Sequence, residues 1–85
     1  MSSPIILRRV DPTQNMARFY RIQMQPTLFG GVTVIREWGR IGQAGTCRHD
    51  QYDTAEIAQS ALEKLWRSKL RRGYHLVPLR WFEIP

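Results

Sequence analysis

The 85-residue chain carries a formal charge of +6, and 42% of its residues are hydrophobic. Nine aromatic side chains and that apolar share exclude a disordered chain despite a mean hydropathy of −0.42, while the length allows one small core and no second domain. A lone cysteine, Cys47, excludes an intramolecular disulfide, and the sequence holds neither a signal-like leader nor a long apolar run, so a reduced, soluble, cytoplasmic protein without membrane contact is expected.

Residues 4 to 10 read as a first strand, closed by Asp11-Pro12 and a polar loop through Asn15. Residues 17 to 25 alternate as a second strand, with Tyr20, Ile22 and Met24 on one face and Phe19, Arg21, Gln23 and Gln25 on the other. Pro26 ends it. Thr27 to Gly31 forms a turn, and Val32 to Arg40 returns as a third strand antiparallel to the second. Gly42 and Gly45 frame the next turn, and Thr46 to Tyr52 is a fourth strand.

A helix follows. Asp53 with Glu56 resembles a capping box, and residues 54 to 71 contain neither proline nor glycine. At 100° per residue, Ile57, Ala58, Ala61, Leu62 and Leu65 make an apolar stripe with Trp66 at its edge, so one face packs on the sheet. Gly73 stands where a left-handed cap ends the helix, after Lys69, Arg71 and Arg72 have placed positive charge at its negative pole. The apolar tail supplies a fifth, edge strand interrupted by Pro78, with residues 78 to 85 packed on the sheet edge. The expected class is α+β: a four- to five-stranded antiparallel sheet with one α-helix across one face, forming a single domain over residues 1 to 85 with its core at about 5 to 77.

The charge comes from eleven arginines and two lysines against seven acids. Guanidinium groups fork phosphate and carboxylate bidentately, which points to anionic partners without separating nucleic acid from an acidic protein. Alternation on the third strand puts Arg36, Trp38 and Arg40 on one face. In one reading Trp38 stacks on a base or sugar while Arg36 and Arg40 hold phosphates and Gly39 lets the backbone approach closely. In the other, Trp38 is core, because Val32 and Val34 share its face. Arg48 extends the patch on the fourth strand, and Lys64, Arg67 and Arg71 form a narrow basic arc on the helix, able to track a phosphate backbone or simply to face solvent. Lys69 falls inside the apolar arc, where its stem covers Leu65 and its head reaches water or helix carbonyls. Cys47, His49 and His75 lack metal-ligand spacing, and Cys47 and His49 stand too far apart along one strand face to act as a nucleophile pair. No metal, no cofactor and no catalysis are expected.

The blocks Arg18-Phe19-Tyr20-Arg21-Ile22-Gln23, Leu28-Phe29-Gly30, Glu37-Trp38-Gly39-Arg40-Ile41-Gly42-Gln43-Ala44-Gly45 and Lys69-Leu70-Arg71-Arg72-Gly73-Tyr74 together resemble the WGR domain in order and spacing, over roughly residues 5 to 77. The resemblance implies an antiparallel sheet carrying one helix. In poly(ADP-ribose) polymerases such a module binds DNA at strand breaks, its Trp near the terminal nucleotide and its Arg reaching nucleic acid and a neighbouring domain; the matching positions are Trp38 and Arg40. The polymerase catalytic domain and zinc fingers have no counterpart in this sequence, so no ADP-ribosylation is implied. The expected function is a non-catalytic nucleic-acid-binding module, preferring DNA ends, nicks or single strands, with a monomer favoured and the oligomeric state left open by the sequence. The alternative is an adaptor that docks an acidic protein through the same surface.

Overall fold

A computed structural model of the chain describes residues 4–77. Five strands form one antiparallel sheet in the order β4-β3-β2-β1-β5: β1 (Ile5–Asp11), β2 (Met16–Pro26), β3 (Val32–Arg40), β4 (Thr46–Tyr52) and β5 (His75–Leu76). The helix α1 (Ala55–Arg71) crosses one face. This is the expected α+β architecture. β5 is a two-residue strand on the free edge of β1, extended by the Val77 amide donating to the Ile6 carbonyl at 2.8 Å. The expectation that residues 78 to 85 pack on the sheet edge lies outside the described residues.

Register turns the alternation of each strand into rows that cross the sheet. On the helix-bearing face, Leu76, Leu7, Tyr20, Trp38 and Thr46 form one row, and Ile5, Ile22, Arg36 and Arg48 the next. Leu7 and Ile22 are fully buried beneath α1, together with Tyr20, Val34, Ala58, Leu62 and Tyr74. Burying a Leu or Ile side chain contributes about 1.5–3 kcal/mol. Among the described residues no helix is long and apolar enough to cross a membrane.

Two details of the helix differ from expectation. Its cap is Thr54, whose hydroxyl accepts from the Ile57 amide at 3.2 Å, because an extended φ of −134° at Thr54 aims that oxygen into the first turn. Ile57 is 52% exposed. The sheet contact centres on Leu62, from which Ile57 lies roughly 140° away around the helix. At the other end Gly73, at φ +95°, reverses the chain, and the Tyr74 amide closes on the Lys69 carbonyl at 3.1 Å. That reversal drops Tyr74 into the core and starts β5 on β1.

Candidate nucleic-acid interface

Where the rows leave the core, charge accumulates. Arg9, Arg18 and Arg40 are register partners across β1, β2 and β3, so three guanidinium groups leave neighbouring strands on the same face. Like charges directly opposite one another destabilise a sheet. Lys69 and Arg72 add two cations from the C-terminal end of α1. Among the described residues, none of these five cations forms an ion pair with a carboxylate.

The adjoining row is aromatic. Trp38 and Tyr20 face each other across β3 and β2 with ring centroids 5.7 Å apart and planes 11° apart, and Tyr74 meets Tyr20 edge-on at 6.5 Å. Lys69 Nζ lies 4.4 Å from the Tyr20 centroid and 5.7 Å from that of Tyr74. Its ammonium therefore rests on rings, where the sequence led one to expect water or helix carbonyls. Burial, then the positive fields of Arg72, Arg36 and Arg18, push its pKa below the ordinary 10.5. Trp38 is half-buried: one side packs on the core through Tyr20, as the core reading expects, and the residue borders the arginine row.

Arg36 and Arg40 have different surroundings. Arg36 Nη2 pairs with Asp50 Oδ2 at 2.9 Å, its Nη1 donates to the Tyr20 hydroxyl at 3.5 Å, and its guanidinium lies 5.8 Å from the Trp38 ring centroid. Burial opposes the Arg36 charge, but the Tyr20 hydroxyl and the Asp50 carboxylate outweigh it, and its pKa is raised. Arg48 Nε shares the same carboxylate at 3.0 Å, so one acid neutralises part of two arginines. Arg40 is exposed and held by neutral acceptors, with Nη1 donating to the Asn15 carbonyl at 3.1 Å and Nη2 to Asn15 Oδ1 at 3.3 Å. Asn15 is left-handed at φ 51°, a conformation Asn tolerates better than most residues. Arg40 thus presents its guanidinium on an oriented stem, with no carboxylate partner among the described residues.

Gly39 serves the opposite face of the sheet. A Cβ there would meet Gly45 Cα at 3.0 Å and the Phe19 ring at 3.6 Å; one on Gly45 would strike the Trp38 carbonyl oxygen and reach Phe19 at 2.9 Å. The glycines let the Phe19 ring lie across β3 and the following turn, which fixes the backbone that carries Trp38 and Arg40.

The structure thus gathers Arg36, Trp38 and Arg40 on one face, with Gly39 beneath and Arg48 beside Arg36. Lys64, Arg67 and Arg71 stand apart, around a depression lined only by helix residues, including Leu70. Sequence reasoning passed over Arg9, Arg18, Tyr20 and Arg72 and gave Lys69 a solvating role. The signal was present: continuing the alternation of the second strand backwards puts Arg18 on the face of Tyr20 and Ile22. Cys47 and His49 are exposed, and among the described residues no group of His, Cys, Asp and Glu could hold a metal ion.

Residues 3–79 match the WGR domain family. The chain is also similar to "Uncharacterized protein y4dW" of Sinorhizobium fredii (strain NBRC 101917 / NGR234), with 38% identity over 74 residues covering 87% of this chain and 36% of that protein. It spans little more than a third of the length of that relative. No solved structure matches the chain.

Proposed function

The chain belongs to the WGR domain family, a family of binding modules, and from that premise we propose that it binds nucleic acid without catalysis, favouring DNA ends, nicks or single strands, through the face bearing Trp38 and Arg40. The observation that carries the reading is the row Arg9–Arg18–Arg40, uncompensated by acids among the described residues and bordered by the Tyr20–Trp38 stack. Like charges in register repel one another, an external anion would offset that repulsion, and phosphate is an anion that a planar guanidinium fork fits. The half-buried Trp38 offers a ring edge and partial face to a terminal or unpaired nucleotide, whose sugar and base are open to stacking as those inside a duplex are not. Lys69 and Arg72 extend the field along the end of α1. Arg36 acts mainly by holding Trp38 and Asp50 in place, Arg48 lies at the margin, and Gly39 acts through the backbone. Lys64, Arg67 and Arg71 form a separate basic surface with a smaller share of the binding.

Fluorescence anisotropy with blunt, nicked and single-stranded DNA at two salt concentrations tests this. If four cations each neutralise one phosphate, log affinity falls with log salt at a slope of roughly −3 to −4. Trp38→Ala with Arg40→Ala is expected to remove the preference for ends or nicks. Salt-independent binding, or binding unchanged in that folded variant, would send the assignment to the adaptor reading with an acidic protein partner.

A further inference from the structure

At the far end of the β2–β3 hairpin, Leu28 and Phe29 are each 97% exposed. The tip that presents them is closed: the Thr27 amide donates to the Gly31 carbonyl at 2.9 Å, and the Gly31 amide donates to the Thr27 hydroxyl at 3.1 Å. Gly30 supplies φ +93°, and a Cβ on Gly31 would come within 2.8 Å of the Tyr52 carbonyl oxygen. Two large apolar side chains are therefore held in water by an ordered turn, and little backbone entropy remains to be lost on docking.

The surroundings of the tip select its occupant. Residues 22 to 35 carry no charge, and between residues 51 and 63 the only charged side chains are Asp53, Glu56 and Glu63, Asp50 being taken up by Arg36 and Arg48. Glu56 and Glu63 line a depression with Met24, two residues before the strand ends at Pro26. An acidic setting disfavours nucleic acid and an anionic bilayer. It favours an apolar depression with a cationic rim, and the chain has one on the sheet face away from α1: a depression of about 220 Å³ floored by Ile6, Phe19 and Ile41 and flanked by Arg8 and Arg21. Tip and depression cannot meet within one molecule, because the seven steps of extended β2 from Phe19 to Pro26 separate them by roughly 23 Å.

We propose that the Leu28–Phe29 tip of one copy docks into the Ile6–Phe19–Ile41 depression of a second copy, in a head-to-tail contact. The contact is heterologous, so it can repeat along a row of copies. It leaves the Trp38–Arg40 face free and is independent of the nucleic-acid reading. Two side chains in one depression bury less than the roughly 1,200 Å² of a stable interface, so association is weak and concentration dependent.

Sedimentation velocity on the whole chain from about 10 µM to about 1 mM tests it, a range that spans weak affinities. The wild type is expected to gain mass with concentration. Phe29→Ser, which removes the tip, and Ile41→Lys, which blocks the depression, are each expected to stay monomeric with unchanged circular dichroism; Arg21→Glu serves if Ile41→Lys does not fold. Mixing the tip variant with the depression variant restores one working contact and is expected to give a one-to-one dimer and nothing larger. A wild type that stays monomeric throughout, a depression variant that still self-associates, or a mixture that stays monomeric while the wild type associates would each overturn the proposal.

Discussion

The Lys69 ammonium stands 4.4 Å from the centroid of the Tyr20 ring, and Trp38 stacks on that same ring. One aromatic side chain thus links the helix end to the third strand. Lys69 has its pKa lowered by burial and then by Arg72, Arg36 and Arg18, so its proton is held less tightly in the folded chain than in the unfolded one. Its charge costs stability below the folded pKa, and the cost is relieved as pH rises through that value toward 10.5. A bound anion favours the proton and acts in the opposite sense. As pH rises in this alkaline window, urea midpoints are expected to move in favour of the wild type relative to Lys69→Met, while DNA affinity falls. Lys69→Arg, which stays charged throughout this window, should remove the Lys69 share of the pH dependence of binding, which anisotropy titrations of the two proteins side by side would detect.

Arg18 and Arg40 are direct register partners, whereas Lys64, Arg67 and Arg71 occupy the outer helix surface. Replacing Arg18 and Arg40 with Gln is expected to weaken DNA binding by about tenfold or more and to reduce the salt slope by about two. The same change at Lys64, Arg67 and Arg71 should cost about threefold, as expected for charges acting only at long range. Equal losses in the two variants would mean that the binding surface has been placed wrongly.

Asp50 holds both Arg36 and Arg48, and its side chain is 24% exposed against 19% for Arg36. Asp50→Asn leaves Arg36 without its charged partner in a mostly enclosed site, at an expected cost of about 1–3 kcal/mol. It also removes a negative charge near the basic face. Stability by urea denaturation should therefore fall while DNA affinity at low salt rises by about two- to threefold, a pair of opposite effects that a general loss of folding would not produce.

Asn15 Oδ1 and its carbonyl oxygen orient Arg40. Asn15→Gly keeps the left-handed backbone and removes only the side-chain acceptor, so thermal stability should change by less than about 1 kcal/mol. DNA affinity is expected to fall by about three- to fivefold, in line with loss of one orienting hydrogen bond. Asn15→Ala adds backbone strain of about 1 kcal/mol and should show the same binding loss with a lower unfolding midpoint.

The glycines of the third strand and its turn differ in what surrounds them. A Cβ on Gly45 collides with the Trp38 carbonyl oxygen, whereas one on Gly42 meets open space and suffers only from φ +87°. Gly45→Ala is therefore expected to lose about 3 kcal/mol or more, and Gly42→Ala about 1 kcal/mol. Chemical denaturation of the two variants side by side checks the order, and the reverse order would mean that Phe19 does not lie across this turn.

Much of this molecule was legible in the chain. Period-2 alternation placed Tyr20 and Ile22 on one face, the bounds Val32–Arg40 and Thr46–Tyr52 followed from the flanking glycines and Pro26, and Gly73 marked the helix end. Each of these signals is local, because backbone sterics and side-chain periodicity act within a few residues. The helix cap was misplaced by one residue, since Asp53 and Thr54 are both competent caps and the backbone angle at Thr54 decides between them.

The character of the candidate site was not local. The sequence by itself determined that Arg36, Trp38 and Arg40 share a face and that the chain carries an excess of arginine. Only the tertiary structure decided that Arg36 is spent on Asp50, that Arg40 is held by Asn15, that Arg9 and Arg18 stand in register with Arg40, and that Lys69 crosses from the helix to the Tyr20 ring. The physical reason is range. Alternation fixes which side of a strand a residue leaves, but strand register and helix placement fix its neighbours, and a charge becomes either a structural partner or an open binding group according to those neighbours.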